Sequence, residues 1–207
     1  MQDRPVERVY KAQSADESRR AYDAWAETYE ADLCAMGYRI PAIIAATFTR
    51  FVPPETTPIL DAGCGGGIQT EALAQLGYTG FVGIDLSEGM LKIARRKGIY
   101  EHLQQQALGP QLPFADNHFG AVISAGTITP GHAPPESLDE LVRITRPGAP
   151  IVFSLRSDRA QLPAYLQTLE RLTRAGQWRH IFSTDSFQSM PYGEPEILNR
   201  IHVYEVV

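Results

Sequence analysis

From Pro58 onward the chain alternates short apolar stretches with turns and amphipathic segments, the order produced by a parallel sheet covered with helices. Strands are predicted near 58–62, 80–85, 103–107, 119–125 and 150–156, and helices near 68–76, 88–97, 136–145 and 160–175. Upstream, Tyr22, Trp25, Ala26 and Tyr29 recur at spacings of three and four, which gathers aromatic side chains on one helix face. Ser14-Ala15-Asp16-Glu17 carries the side chains of a capping box and starts that helical region. Residues 1–13 show mixed charge and no apolar period, and are expected to form a loose arm. A second apolar segment, Pro41 to Phe51, stops before Pro53-Pro54, where proline restricts helical geometry. At the other end, the β-like runs Trp178 to Phe187 and Ile197 to Val207 are joined through Pro191-Tyr192-Gly193-Glu194-Pro195, which reads as a turn between antiparallel strands. No repeat or linker interrupts the pattern, so one domain over 1–207 is expected, with a helical region over 1–52 and a sheet-forming region over 53–207.

Composition narrows the class. Hydrophobic residues at 43% and charged residues at 21% exclude a disordered chain, a collagen-like chain and a disulfide scaffold. The 24 acidic and 19 basic side chains leave a net charge of -5, which disfavours nucleic acid as a partner. Cys34 and Cys64 are read as free thiols, which suits a cytoplasmic protein. The longest apolar run, Pro41 to Ala46, is far short of the roughly 20 residues a membrane span needs, and the start MQDRPVERVY lacks a signal-peptide apolar stretch. No membrane partner is expected.

The densest chemistry lies in Ile59-Leu60-Asp61-Ala62-Gly63-Cys64-Gly65-Gly66-Gly67, an acid at the end of a buried strand followed by a glycine turn into a helix. Glycine lets the backbone approach a ligand closely. The G-x-G-x-x-G register of dinucleotide binders fails, because the sixth position is Ile68 counted from Gly63 and Thr70 counted from Gly65. The register is instead D-x-G-x-G-x-G, with a carboxylate suited to a cationic or hydroxylated ligand. Asp85, in Gly83-Ile84-Asp85-Leu86-Ser87, closes the second strand at the position from which an acid grips ribose hydroxyls. Taken singly, the glycines fit a plain turn and Asp85-Leu86-Ser87 a helix cap.

Together these segments resemble the class I S-adenosylmethionine-dependent methyltransferases. The resemblance extends to Met90-Leu91 with Ala94, Leu112-Pro113-Phe114 before Phe119, and Leu141-Val142-Arg143-Ile144-Thr145-Arg146-Pro147-Gly148. More narrowly, Tyr22-Asp23-Ala24-Trp25, Ser124-Ala125-Gly126-Thr127 with Gly131-His132-Ala133-Pro134-Pro135, and Ile197-Leu198-Asn199-Arg200 are similar to the small methyltransferase-like proteins of the Williams–Beuren region. The resemblance implies an α/β Rossmann-like fold with a seven-stranded, mostly parallel sheet, an antiparallel C-terminal hairpin and helices on both faces. Residues 1–52 would then be a helical lid over a cofactor-binding core. The cofactor implied is S-adenosylmethionine, with S-adenosylhomocysteine as product. Asp61 and the Gly63, Cys64, Gly65, Gly66, Gly67 backbone would face its methionine part and Asp85 its ribose. Leu86, Met90, Ala107 and Leu108 would flank the adenine, with Ser124 and Tyr29 also on the cofactor side. Tyr22, Trp25, Tyr38, Thr127 and His132 would meet a small-molecule acceptor. The aromatic residues fit packing as well as cation–π contact with a sulfonium.

Several positions depart from the family pattern. Gly66 stands where threonine is common, and Ala107 takes the place of the aspartate that accepts from the adenine amino group. Gly120 and Ala149 replace an aspartate and a glycine. These departures keep a second reading open, a relative that binds the cofactor as a structural or regulatory ligand or steers another reaction. A nicotinamide-dependent reductase is a third, disfavoured by the failed glycine register and the terminal hairpin. Methyl transfer from a sulfonium is an in-line displacement that needs chiefly alignment, with a base only if the acceptor arrives protonated. His132 is the candidate base, and a structural role is the competing reading. His102, His118, His180 and His202 are read as structural. No metal is expected, since neither cysteine has a C-x-x-C partner and no histidine pair stands at helical spacing. The segment Ser124 to Thr127 lacks the Asn-Pro-Pro-Tyr type of motif of base-amino methylating enzymes, a further sign against nucleic acid.

Overall fold

The computed structural model describes residues 5–157 and 162–207. Residues 1–4 of the expected arm, and 160–161 of the helix expected from 160, lie outside them. Four helices come first: α1 (Pro5–Lys11), α2 (Ala15–Trp25), α3 (Tyr29–Ala35) and α4 (Ile40–Phe51). The loose arm is therefore corrected to a helix. Val6 and Val9, one turn apart, bury themselves against Trp25, Leu33 and Met190, and this contact with distant chain fixes a segment whose own pattern is polar. The start of α2 is as expected, with the Ser14 hydroxyl accepting from the Glu17 amide, while the Glu17 carboxylate accepts from the Gln13 amide.

The rest follows the alternation: β1 (Ile59–Ala62), α5 (Ile68–Gln75), β2 (Phe81–Asp85), α6 (Glu88–Lys97), β3 (Tyr100–Gln105), β4 (Ala121–Ser124), α7 (Ser137–Ile144), β5 (Pro150–Arg156), α8 (Pro163–Arg174), β6 (Trp178–Ser183), β7 (Phe187–Met190) and β8 (Glu194–Val206). The sheet has eight strands in the order β3-β2-β1-β4-β5-β8-β6, with β7 also paired to β8. β1 to β5 are parallel and β8 runs against them. Asn199 of β8 pairs with Arg156 of β5 on one edge and Phe187 of β7 on the other, so β6 and β7 lie end to end along one edge of β8. The outermost of the seven expected positions is thus split between two strands. The sheet is α/β, mostly parallel, with antiparallel pairing at its C-terminal end as the pattern implied.

Both faces of the sheet are covered. Ile59, Phe81, Ile123 and Val152 pack under Ile44 and Phe48 of α4 and Leu73 of α5. Leu60, Val122, Ile151 and Phe153 pack on Leu141 of α7 and Leu169 and Leu172 of α8. β1 and β4 are buried along their whole length, as central parallel strands are. The chain passes from β1 outward to β2 and β3, then returns to β4 on the opposite side of β1. That reversal is the topological switch point, where open α/β sheets hold ligands beyond the carboxyl ends of the strands.

Candidate functional site

Strand pairing decides how the two acids differ. Asp61 is level with Gly83, so Asp85 stands two rungs closer to the carboxyl end of the sheet. Asp61 is fully buried beneath the glycine turn, where Gln69 Nε2 donates to its Oδ1 and Oδ2 at 2.9 and 3.1 Å, Tyr100 OH donates to Oδ2 at 2.7 Å, and the Thr70 hydroxyl donates to the same oxygen. Burial pushes its carboxyl above the ordinary range, and the Thr70, Tyr100 and Gln69 hydrogen bonds oppose the rise. It clasps α5 and β3 to the turn.

Asp85 instead opens into a cleft. Its Oδ2 accepts from the Gly65 amide and its Oδ1 from the Ser87 amide, both at 2.8 Å. Each oxygen keeps acceptor capacity beyond these bonds. Burial is the main cause of a pKa raised to about 6, opposed by the two amides. Two glycines carry the geometry here. Gly63, at φ +77°, lies so close to Thr127 that an added Cβ would stand 2.2 Å from its Oγ1. Gly65, at φ +53°, has no atom within 4 Å of the place of a Cβ, so the turn is bare on its open side.

The cleft holds about 640 Å³ of non-protein space. Of the expected cofactor-side residues, Gly63, Gly65, Asp85, Leu86, Met90, Ala107, Leu108 and Tyr29 line it, together with Tyr22, Thr127 and His132 from the acceptor set. Asp61, Cys64, Gly66, Gly67 and Ser124 are not among the lining residues. Cys64 is buried under the turn, and burial drives its thiol far above the ordinary value. A Cβ at Gly66 would meet Glu30 Oε1 at 2.9 Å and Ile93 at 3.2 Å, so a threonine there would need both side chains to shift. Gly67 sits at the N-cap of α5, and Ser124 donates to the Ala62 carbonyl at 2.8 Å, fastening β4 to β1. Ser18, Gln106 and Gly126 line the cleft without having been assigned to it. Gln106 adjoins Ala107, where the aspartate is missing, and supplies an amide there.

A second chamber, with about 680 Å³ of non-protein space that includes open solvent, adjoins the first and shares Tyr22, Tyr29, Gly126 and His132 with it. Trp25 and Tyr38, the other two residues of the acceptor set, line it. Tyr10, Arg156, Ser189 and Asn199 join them, and no pattern in the sequence marked the first three. At the partition, Tyr22 OH and His132 Nε2 are 2.7 Å apart. Burial holds the His132 imidazole below its ordinary range, partly offset by the Pro130 carbonyl. Burial raises the Tyr22 phenol, whose first charged neighbour is Asp85. The downward shift at His132 favours the neutral ring, the form that can accept a proton. The aromatic wall is close-packed, with Trp25 and Tyr29 edge to face at 4.7 Å and the Trp25 indole donating to Asp32 at 2.6 Å. Asp23 of α2, given no role beforehand, accepts from the Ser87 hydroxyl at 2.6 Å and the Gly89 amide at 2.8 Å, tying the N-terminal helices to the start of α6 beside Asp85. Of the other histidines, His180 Nε2 and His202 Nδ1 share the Ser183 hydroxyl at 2.7 and 2.8 Å, away from both chambers.

A family model described as a methyltransferase domain matches residues 60–153. Methyltransferase-like protein 27 of Homo sapiens is 34% identical over 163 residues, which is 76% of this chain and 66% of that protein. Residues 60–153 thus carry a methyltransferase domain, and the chain is similar to the class I S-adenosylmethionine-dependent methyltransferases. A demethylmenaquinone methyltransferase of Renibacterium salmoninarum is 36% identical over 97 residues, 46% of this chain and 40% of that one. The chain spans less than two thirds of the length of these curated relatives. In fold it is similar to a TehB-like S-adenosylmethionine-dependent methyltransferase from Corynebacterium glutamicum, with a TM-score of 0.67 and 19% identity over 91% of this chain and all of that one. S-adenosylmethionine is the cofactor that goes with this domain. The bare turn at Gly65 and the spare acceptor capacity of Asp85 are compatible with an adenosyl ligand in the methyltransferase cleft. No helix among the described residues is long and apolar enough to cross a membrane.

Proposed function

We propose that the chain transfers a methyl group from S-adenosylmethionine to a small-molecule acceptor held in the second chamber. The observation that carries this reading is the shared wall: a cofactor-type cleft and an aromatic chamber meet at Tyr22, Tyr29, Gly126 and His132. The name of the Renibacterium relative, which makes a small molecule its substrate, supports the same class of acceptor. In this reading Asp85 accepts from the ribose hydroxyls, and the backbone of Gly63 and Gly65 lies along the methionine part. Leu86, Met90, Ala107 and Leu108 enclose the adenine, with Gln106 supplying a polar group that Ala107 lacks. When bound, the cofactor supplies an electrophilic methyl group on sulfur.

The protein's share is alignment and proton management. Tyr22, Trp25 and Tyr29 exclude water from the partition and restrict the acceptor's approach, and such positioning is worth up to ~7–11 kcal/mol of barrier. His132, neutral and buried, takes the proton of an acceptor hydroxyl as that oxygen becomes nucleophilic. Residues 5–52 act as the lid, with Asp23 as its fastening. The test is incubation with labelled S-adenosylmethionine and a metabolite extract, which should yield a labelled low-molecular-weight product. Cofactor-induced thermal stabilisation with no labelled product across broad acceptor sets would replace this reading with a binding role.

Asp85 gives a pH signature. Ribose hydroxyls need the carboxylate, so below its pKa of about 6 binding S-adenosylhomocysteine must expel a proton. Its affinity should fall by a factor approaching ten per pH unit between about pH 6 and pH 5, and level off above about pH 7. The same group acts on the fold with the opposite sign: a carboxyl raised on folding adds stability as pH falls through that range. Calorimetric titration across pH would therefore show weakening of the complex while the free protein gains. A pH-independent affinity would remove Asp85 from the ribose.

A further inference from the structure

A buried hydroxyl with no hydrogen-bond partner marks the wall of the second chamber formed by β7. Ser189 is 1% exposed, and its Oγ has no partner among the described residues although it lines the chamber. Native folds leave few such groups unpaired. Ser189 stands where the pairing of β7 with β8 slips, between Gln188↔Leu198 and Met190↔Glu194, an irregularity of the kind that re-aims side chains beside binding sites. Its carbonyl is already engaged by the Arg39 amide at 2.9 Å. His132, whose Nε2 lies 2.7 Å from Tyr22 OH, faces the same chamber.

Much of the remaining lining is apolar, including Val9, Trp25, Leu33, Ile40, Met190 and Ile197. Arg156, the one arginine, lysine or carboxylate in the lining, is already engaged, and Glu194 lies behind Tyr10, accepting from its OH at 2.8 Å. A net ionic ligand would therefore enter a largely apolar lining without an uncommitted counter-charge, which is costly. We propose that Ser189 determines acceptor specificity, and that the acceptor is a neutral aromatic molecule carrying two hydrogen-bonding groups, one presented at His132 and the other received by Ser189. This rests on the reading of the chamber as the acceptor's, and it adds the acceptor's class.

The experiment titrates wild type and Ser189→Ala, saturated with S-adenosylhomocysteine, with catechol, hydroquinone and dihydroxybiphenyl, each paired with the monophenol lacking one hydroxyl. Hydroxybenzoates serve as anionic counterparts. In wild type, the diol of fitting span should bind about tenfold tighter than its monophenol, the size of one well-made buried hydrogen bond. Ser189→Ala should abolish that preference while leaving S-adenosylhomocysteine affinity intact and the melting temperature unchanged or raised, since an unpaired buried hydroxyl is lost. Equal binding within every pair, a preference that survives Ser189→Ala, or tighter binding of the hydroxybenzoates would overturn the proposal. Parallel turnover assays with labelled S-adenosylmethionine separate the two readings. Labelled phenol ethers without the Ser189-dependent preference would sink the subsite alone, whereas the preference without methyl transfer would sink the transferase reading and keep the subsite.

Discussion

Asp61→Ala should lower the melting temperature by about 6–12 °C and disturb cofactor binding only through the fold. The carboxylate is the shared acceptor of Gln69, Thr70 and Tyr100 in a fully buried place. Removing it strands three donors, each at a cost of about 1–3 kcal/mol, while relief from burying a charge returns part of that. A net loss of about 3 kcal/mol corresponds to the stated shift at ~2–4 °C per kcal/mol for a chain of this size. Thermal unfolding followed by circular dichroism gives the shift, and titration of the folded fraction with S-adenosylhomocysteine gives the affinity. An unchanged melting temperature with binding abolished would show the opposite, a carboxylate in direct contact with the cofactor.

That outcome bears on what the sequence can disclose. Asp61 and Asp85 look alike in one dimension, each an acid closing an apolar run. Their difference comes from register: Asp61 pairs with Gly83 and lies under the turn, whereas Asp85 lies two rungs further out. No local pattern encodes that offset. The alternation of strands and helices from residue 58 was legible because β1, β4 and β5 are apolar along nearly their whole length and the turns between them rich in glycine. β3 was legible less well. It spans Tyr100–Gln105 rather than 103–107, since an edge strand with the sequence YEHLQQ has little apolar signal.

The tail shows the same limit. Its antiparallel pairing follows from two β-rich runs around a proline and glycine turn, but the division of the outer edge into β6 and β7 depends on which part of the long β8 each one meets. α1 was missed because two valines a turn apart among charges carry too little pattern, and the contact that orders them comes from Met190, far along the chain. The second chamber draws on α1, α2, α3, β5, β7 and β8 at once. Tyr22, Trp25, Tyr38 and His132 of its wall were found through aromatic spacing and resemblance. Ser189 and Arg156 carry no signal at all in one dimension, since a serine or arginine in a strand is ordinary.

His132 is where sequence and geometry converge most closely, and its replacement should have the largest kinetic effect. His132→Ala should reduce kcat by about 10²–10⁴-fold, the usual worth of a positioned base, with S-adenosylhomocysteine affinity little changed because Asp85 and the glycine turn are untouched. The wild-type rate should rise with pH and reach its plateau at or below the ordinary imidazole value of ~6.5, since burial favours the neutral ring. Tyr22→Phe removes the hydroxyl 2.7 Å from Nε2, leaving the ring less firmly oriented, so its loss of rate should be smaller and the plateau should remain. A structural role makes a different prediction. In that case His132→Ala would lower the melting temperature and keep the pH profile of kcat, and alignment of the acceptor by the aromatic wall would account for the rate by itself.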